Sequence, residues 1–294
     1  MEEKYILNPY ISIKRVGLNK FYIKQSILSK KSFVLETNDL DKRDKEFLSN
    51  LSINSIVSYE DCSQELMDFL LEESIITYRH MNDIEYYYKL INKDNSISSI
   101  KDSKVAILCN NEKIKKIMTM YIEDLGINFD FIDFNSLKSI KKNQFDMIIG
   151  LYSHFDSLLF HRINEILIEK EVPFMINFID GGNSYISPIF IKGETVCYNE
   201  MEVQLEAALF YKTEYIAYKD EIDKQKPLIS YFVNNIIFYS LHLSLDFLIT
   251  KKLRTKNRAF LIDSESLRYD IVDIMPLPNC LGCQKNNKIV HDYL

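Results

Sequence analysis

The cysteines near the C-terminus are the residues whose types and spacing point most directly to chemistry. Cys280 and Cys283 form a C-x-x-C pair. Cys197 is followed three residues later by Glu200, at the position where the second cysteine of another C-x-x-C pair would stand. Thiolates at this spacing suit two ligands of a tetrahedral zinc ion. The sequence therefore predicts a metal site of three thiols, with the Glu200 carboxylate in place of a fourth cysteine. A set of reduced cysteines without a metal is the alternative interpretation.

A second place for chemistry is the loop that follows the apolar strand 104–109. A dinucleotide or ATP site needs glycines there, so that backbone amides can approach a pyrophosphate. The loop reads CNNEK from Cys109 onward, without a glycine, and the carboxylate of Glu112 repels phosphate. Asp133 ends the next strand, where such folds often bind a ribose, but without the loop it is interpreted as a solvated carboxylate. The sequence therefore predicts a nucleotide-type fold that binds no ATP.

The composition indicates a globular protein and argues against some classes of function. The chain has 294 residues, of which 47% are hydrophobic and 27% charged, the balance of a globular protein with about two domains of ~150 residues. A net charge of −6 and a helix over 61–74 with five acidic residues and no basic one argue against nucleic-acid binding. The apolar stretch 231–250 is interpreted as a buried helix, because its Asn, His and Asp side chains are expensive in lipid. Without a signal peptide or a disulfide framework, we expect a cytoplasmic protein.

The first 90 residues predict a small module of strands and helices. Its predicted strands are 11–16, 21–23, 32–37 and 75–78, with a turn at 17–19. Its predicted helices run from a cap at Asp39 or Asp41 to Leu51, and over 63–74. Three strands with a compact set of helices predict a winged helix-turn-helix domain over residues 1–90. The polar stretch 91–103 is predicted to be a linker.

From residue 104 onward, apolar strands alternate with helices. The predicted strands are 104–109, 129–134, 145–150 and 174–178. The predicted helices are 112–125, 157–170 and 227–251. This alternation is typical of a parallel sheet with helices on both faces. The sequence therefore predicts an α/β protein whose second domain, residues 104–294, is a doubly wound Rossmann-type domain.

Three motifs, in this order, carry a resemblance to a known family. They are KVAILC at 104–109, ISPIFIKGETVCY at 186–198, and PLPNCLGC at 276–283 after the long helix. Between residues 104 and 283 the chain resembles the ThiF/ubiquitin-activating-like domain of azole-forming peptide cyclodehydratases. Residues 1–90 resemble the winged-helix module that recognises the precursor in the same proteins. These proteins are the leader-peptide-binding, ocin-ThiF-like components of YcaO-dependent systems.

The resemblance implies a function. The chain is expected to bind the leader of a ribosomal precursor peptide and to present Cys, Ser or Thr residues to a YcaO-type ATP-dependent cyclodehydratase, which forms thiazolines and oxazolines. Thiopeptide and linear azole-peptide pathways use such proteins, and an azoline dehydrogenase can join the complex. The resemblance also implies a homodimer built on the ThiF-like half. It further implies that Cys197 lies close to Cys280 and Cys283 in a structural zinc site.

The sequence departs from the adenylating relatives of this family. Their glycines and their arginine-bearing segment are missing, and Cys62 and Cys109 are interpreted as packed thiols rather than nucleophiles. No catalytic residue is therefore assigned, and the chain is expected to be a scaffold without activity of its own. A self-sufficient enzyme that adenylates a peptide C-terminus is the alternative.

The leader is expected to bind as an added strand beside residues 32–37. The backbone of an edge strand can pair with an extended peptide, and side-chain pockets then give selectivity. The predicted strand contacts are Phe33, Val34 and Leu35, and the predicted pocket residues are Leu66, Met67, Leu70 and Leu71. Two apolar stripes on the helix leave a second interpretation open, in which both stripes are simply buried in the protein.

Overall fold

The computed structural model describes residues 4–17, 20–29, 32–52, 55–79, 81–91, 100–125, 128–209, 212–219, 228–278 and 280–283. The chain divides into two compact units, Met1–Ser99 and Ile100–Leu294. The turn residues 18 and 19 and the predicted helix start at Pro227 lie outside the described residues, as does most of the predicted linker. The end of that linker is structured, because Ile100–Asp102 forms a 3₁₀ turn that buries Ile100.

The first unit contains six strands and three helices among its described residues. The strands are β1 (Tyr5–Leu7), β2 (Ser12–Val16), β3 (Lys20–Lys24), β4 (Ser32–Glu36), β5 (Ile56–Val57) and β6 (Ile76–Tyr78). The helices are α1 (Lys42–Asn50), α2 (Gln64–Glu72) and α3 (Asp83–Ile91). Strands β2, β3 and β4 form an antiparallel meander, and β1 lies between β5 and β6 in a second small sheet. The sequence analysis missed β1, β5 and α3.

Local capping explains where the two predicted helices of this unit begin. The Asp41 carboxylate accepts a hydrogen bond from the backbone N–H of Asp44 at 2.7 Å, which caps α1. The Ser63 hydroxyl caps α2 in the same way through Leu66. Asp44 in turn accepts hydrogen bonds from the N–H and the hydroxyl of Ser63, at 2.7 and 2.6 Å. One buried carboxylate therefore ties the start of α1 to the start of α2.

The second unit is built on a seven-stranded sheet. Its strands are β7 (Val105–Cys109), β8 (Phe129–Ile132), β9 (Met147–Tyr152), β10 (Phe174–Asp180), β11 (Asn183–Ile186), β12 (Arg258–Asp263) and β13 (Arg268–Asp273). Its helices are α4 (Glu112–Leu125), α5 (Ser157–Lys170), α6 (Tyr198–Ala208), α7 (Lys212–Lys219) and α8 (Ser230–Thr250). A further 3₁₀ helix covers Phe134–Ser139. The strand order is β13-β12-β11-β10-β9-β7-β8.

The sheet is mixed, which corrects the prediction of a parallel sheet. Strands β8, β7, β9 and β10 are parallel, but β11, β12 and β13 pair antiparallel at one side. The change of direction follows from a tight turn after β10, where Gly181 has a φ of +60° that favours glycine. The prediction of an α/β fold is confirmed, and its large sheet is mixed.

Helices cover both faces of this sheet. Phe160 of α5 contacts Phe178 of β10 on one face, with ring centroids 5.4 Å apart. On the other face the Asn177 amide donates to the Ser240 hydroxyl of α8 at 2.6 Å. Alternate residues of β10 therefore pack against opposite layers, as expected for a strand buried on both sides.

Helix α8 is the one described helix that is long and apolar enough to cross a membrane. Its most apolar window is 61% buried inside the protein, where it packs on β9, β10 and β11. Burial of this kind is typical of a core helix, and it is compatible with a soluble protein.

Candidate functional site

The structure brings together all four residues of the predicted metal site. One ligand atom from each of Cys197, Glu200, Cys280 and Cys283 lies within 4.8 Å of the other three. The sulfur atoms of Cys197 and Cys280 are 3.6 Å apart, and the Cys283 sulfur is 3.6 Å from Glu200 Oε2. Thiolates on a tetrahedral zinc lie about 3.8 Å apart, because each bond is about 2.3 Å long. The cluster therefore has the donors and the spacing to hold a metal ion.

Helix α6 positions one half of this cluster. Cys197 is the N-cap of α6, and its backbone N–H donates to Glu200 Oε2 at 2.7 Å, as in a capping box. The other carboxylate oxygen, Oε1, accepts from the backbone N–H of Leu277 at 2.8 Å. Glu200 therefore joins the start of α6 to the C-terminal segment through its own hydrogen bonds, whether or not a metal is bound. Part of its role is structural.

A glutamine that the sequence analysis did not single out holds the same two segments together. The Gln204 side chain donates to the Met275 carbonyl at 2.7 Å and accepts from the Met275 N–H at 2.9 Å. This reciprocal pair fixes the chain just before the C-x-x-C turn.

The cluster is electrostatically suited to a cation. Burial, together with the nearby Cys280 thiol and Glu200 carboxylate, raises the pKa of the Cys197 thiol to about 12. Burial also raises the pKa of Cys283, with Cys197 and Glu200 adding to the effect. Without a metal these thiols are protonated and poor nucleophiles at neutral pH, since the thiolate is the reactive form. A divalent cation offsets the desolvation of the thiolates.

A polar network fixes the C-x-x-C turn against α5. An added Cβ at Gly282 would lie 2.5 Å from the side-chain nitrogen of Asn199. Asn199 Oδ1 is 2.7 Å from His161 Nδ1 and accepts from the Asn164 amide at 3.3 Å. His161 Nε2 is 2.6 Å from a carboxylate oxygen of the buried Glu202. Residue 282 must therefore be small, because hydrogen bonds to His161 and Asn164 hold the neighbouring Asn199 side chain in place.

The other two cysteines stand apart from this cluster. Burial raises the pKa of both Cys62 and Cys109 to about 11. The Cys109 thiol contacts the backbone of Asn111 at the end of β7. Neither thiol therefore has the lowered pKa of an activated nucleophile.

In the loop after β7, a side chain accepts hydrogen bonds from the backbone N–H groups at the start of α4. Asn111 Oδ1 accepts from the backbone N–H groups of Lys113 at 2.9 Å and Ile114 at 3.3 Å. These are the amides that a phosphate uses at a helix N-terminus. The Lys113 ammonium donates to the Leu228 carbonyl at 2.6 Å, and Glu112 pairs with Lys115. Both the helix amides and the lysine are therefore occupied within the protein.

Strand β4 lies at an edge of its sheet, because among the described strands it pairs with β3 alone. The Phe33 and Leu35 side chains are half-buried and pack against the core. Val34 points to the opposite face and is 46% exposed. The strand therefore offers an edge that no other described strand covers, beside partly exposed apolar side chains.

Helix α2 divides the predicted pocket residues into two groups. Met67 and Leu70 are 0% exposed and Leu66 is also buried, so these three side chains belong to the core. Leu71 is half-buried. The sequence analysis missed Phe69, whose ring contacts Phe33 of β4 edge-on with centroids 5.7 Å apart. The apolar surface beside β4 is therefore made by Phe33, Leu35 and Phe69.

Comparison with known proteins shows which solved structures have a similar fold. No protein-family model and no curated protein sequence matches the chain. The structure of the heterocyclase TruD is similar, with a TM-score of 0.71 and 12% identity over 96% of this chain and 43% of that chain. A heterocyclase in complex with substrate and cofactor gives a TM-score of 0.69 and 10% identity, over 96% of this chain and 39% of that one. E. coli MccB with MccA-N7isoASN gives a TM-score of 0.61 and 14% identity, over 95% of this chain and 99% of that one.

The chain therefore spans about two fifths of the length of the heterocyclases and nearly the whole of MccB. At these identities the likeness concerns the fold. It agrees with the resemblance of the sequence to the ThiF-like component of azole-forming systems. The chain shares with TruD and MccB a mixed α/β fold built on a large mixed sheet.

Proposed function

We propose that this chain binds the leader of a ribosomal precursor peptide and presents it to a separate YcaO-type cyclodehydratase that forms thiazolines and oxazolines. The observation that carries this proposal is the position of β4 at the edge of its sheet, beside Phe33, Leu35 and Phe69. An extended peptide can add to such an edge through main-chain hydrogen bonds and place alternate side chains in the groove. The solved heterocyclase holds a substrate and a cofactor, and MccB has been solved with MccA peptides.

A self-sufficient adenylating enzyme is the second candidate. It is favoured by the match to nearly the full length of MccB, which has been solved with AMPCPP and MccA. The loop after β7 argues against it. Asn111 already occupies the amides at the start of α4, and no glycine lets a phosphate approach the backbone. We therefore assign ATP consumption to the partner enzyme.

We further propose that the cluster of Cys197, Glu200, Cys280 and Cys283 holds a structural zinc ion. Four protein donors leave no open position for catalysis, so the ion would tie the C-terminal segment to α6. Elemental analysis of protein purified without chelator is expected to find about one zinc per chain. Cys280→Ser should lose most of it, whereas Cys62→Ser, which changes a buried thiol elsewhere, should keep it. Less than ~0.2 zinc per chain in the unmodified protein would support the metal-free interpretation, since structural sites bind tightly.

Gly282→Ala is expected to destabilise the second unit by about 1–3 kcal/mol, the usual range for overpacking. The added Cβ would lie 2.5 Å from Asn199 Nδ2, and Asn199 is held by His161 and Asn164. Chemical denaturation measures the change. Gly182→Ala is the matched control, because its Cβ would meet only Phe232 at 3.9 Å. Equal stability of the two variants would contradict the proposed packing of the turn.

We also propose that the chain forms a homodimer through α8 and the edge strand β13. Tyr231 and Phe238 are each 54% exposed and lie two turns apart on one face of α8, and Tyr269 and Ile271 are exposed on β13. Exposed apolar patches of this kind mark interaction surfaces. Light scattering at micromolar concentration should give twice the 34.7 kDa of one chain.

The double variant Tyr231→Glu/Phe238→Glu should be monomeric. Leu158→Glu, which changes an exposed apolar residue of α5, should remain a dimer. A single species of 34.7 kDa in the unmodified protein, with or without the partner enzyme, would rule the dimer out.

A further inference from the structure

We propose, building on the leader-binding function above, that the edge of β4 selects a peptide segment with apolar and basic residues on one face. The groove-facing positions would be Leu-like residues flanked by Lys or Arg, and the positions between them would be neutral. The class of ligand is therefore an amphipathic, basic, extended segment. The inference rests on which side chains surround this edge strand and on their charges.

The pleat of β4 fixes which peptide residues face the groove. Along the strand, Phe33 and Leu35 turn toward the core, and Ser32, Val34 and Glu36 turn away from it. A strand added at this edge continues the same alternation, so every second residue lies next to Phe33 and Leu35. Those residues form the inward face of the bound peptide, and apolar side chains there would cover the half-buried rings.

Helix α2 adds negative charge to this inward side. Phe69 contacts Phe33, so the face of α2 that bears Phe69 is turned toward β4. Glu65 and Glu72 are four residues before and three residues after Phe69, which places them on the same helix face. Both are exposed, and neither forms an ion pair or side-chain hydrogen bond within the described part of the chain. Two free carboxylates therefore flank the apolar centre of the groove.

The lysines of this sheet lie on its outward face, whereas Arg15 of β2 lies on the core-facing side over the Phe21 ring. Lys14 and Lys24 lie on the side away from the core, together with Lys20, which pairs with Glu36 at 3.1 Å. Lys20 and Lys24 are on β3 and Lys14 is on β2, one and two strands beyond β4, so an added peptide would have Ser32, Val34 and Glu36 as its outward neighbours. Glu36 is already paired with Lys20, whereas basic residues pointing inward would lie near Glu65 and Glu72. Basic residues therefore favour the inward positions, and the apolar residues between them favour the same face because it holds Phe33 and Leu35.

Two fluorescein-labelled peptides test this selectivity on the full chain by fluorescence anisotropy. One is Lys-Thr-Leu-Thr-Lys-Thr-Leu-Thr-Lys, and the other has Glu in place of every Lys. We expect the basic peptide to bind about tenfold more tightly at 50 mM salt, the size expected for a few exposed ion pairs. The difference should shrink at 0.5 M salt, because exposed charges are screened.

The double variant Glu65→Lys/Glu72→Lys should reverse the preference. Glu46→Lys/Glu60→Lys makes the same change in net charge at exposed sites of the same unit and should leave it intact. Equal affinity for the two peptides, a preference for the acidic one, or equal effects of the two double variants would overturn the inferred selectivity.

Val34→Pro separates this inference from the function on which it rests. If both peptides bind equally and both weaken in a folded Val34→Pro variant, the pairing at β4 stands and the charge selectivity fails. If the basic peptide binds and Val34→Pro leaves its affinity unchanged, the ligand binds elsewhere and both proposals fail. A preference for the basic peptide that weakens in Val34→Pro supports both.

Discussion

Azoline formation is expected to fall about 100-fold when this chain is omitted from a mixture of precursor peptide, YcaO-type partner and ATP. The chain would act by holding the leader near the partner, and tethering of this kind raises apparent affinity by ~10²–10⁴ without a new contact at the active site. Mass spectrometry measures the effect, because each azoline ring forms with the loss of one water. The purified chain alone should neither hydrolyse ATP nor release pyrophosphate.

Glu112→Ala provides the control for this prediction. Its carboxylate pairs with Lys115 at the exposed start of α4, so on the scaffold interpretation the residue contacts no nucleotide and azoline formation should stay unchanged. ATP hydrolysis by the chain alone that disappears on changing Asn110 or Asp133 would instead identify an adenylating enzyme.

Leader affinity is expected to fall more than tenfold in Val34→Pro. Proline removes a backbone donor and distorts the edge of β4, and each lost main-chain hydrogen bond contributes ~0.5–1.5 kcal/mol. Calorimetry with the leader of the precursor encoded in the same gene neighbourhood measures the change. Val34→Thr is the matched control, since it keeps the N–H and the branched Cβ and should bind nearly as well as the unmodified chain.

Circular dichroism must establish that the proline variant remains folded. In a folded Val34→Pro protein, an unchanged affinity would mean that the leader does not pair with β4.

The parts of the fold that sequence reasoning predicted well are those with a strong local pattern. Strands β7 and β9 are continuous apolar runs, and α4 and α5 begin and end at the predicted residues. Strand β13 gave no such signal, because most of its residues are exposed and its sequence alternates charged with apolar residues. Its place depends on pairing with β12, and β12 depends on β11, more than 70 residues earlier in the chain. Helix α3 was missed although Ile84, Tyr87, Tyr88 and Ile91 follow helical spacing, because the run of tyrosines was not interpreted as part of a helix.

The candidate site likewise has features that can be seen in the sequence and contacts that cannot. The spacing of Cys280 and Cys283 is visible in the sequence, and so is the place of Glu200 after Cys197. The contact of Asn199 with Gly282 depends on three separate segments and has no local signal. On α2 the two apolar stripes look alike in the sequence. The core buries Met67 and Leu70, and it leaves Phe69 at the rim beside β4.

Hydrogen–deuterium exchange of the full chain, with and without the precursor leader, tests the central claim most directly. Leader binding as an added strand predicts slower exchange of backbone amides in Ser32–Glu36, because amides that face solvent at the free edge would gain partners. The opposite edge, Ser12–Val16, is the internal reference and should exchange at the same rate in both states. Unchanged exchange over Ser32–Glu36 at saturating leader, or protection confined to the second unit, would contradict a leader-binding scaffold built on β4.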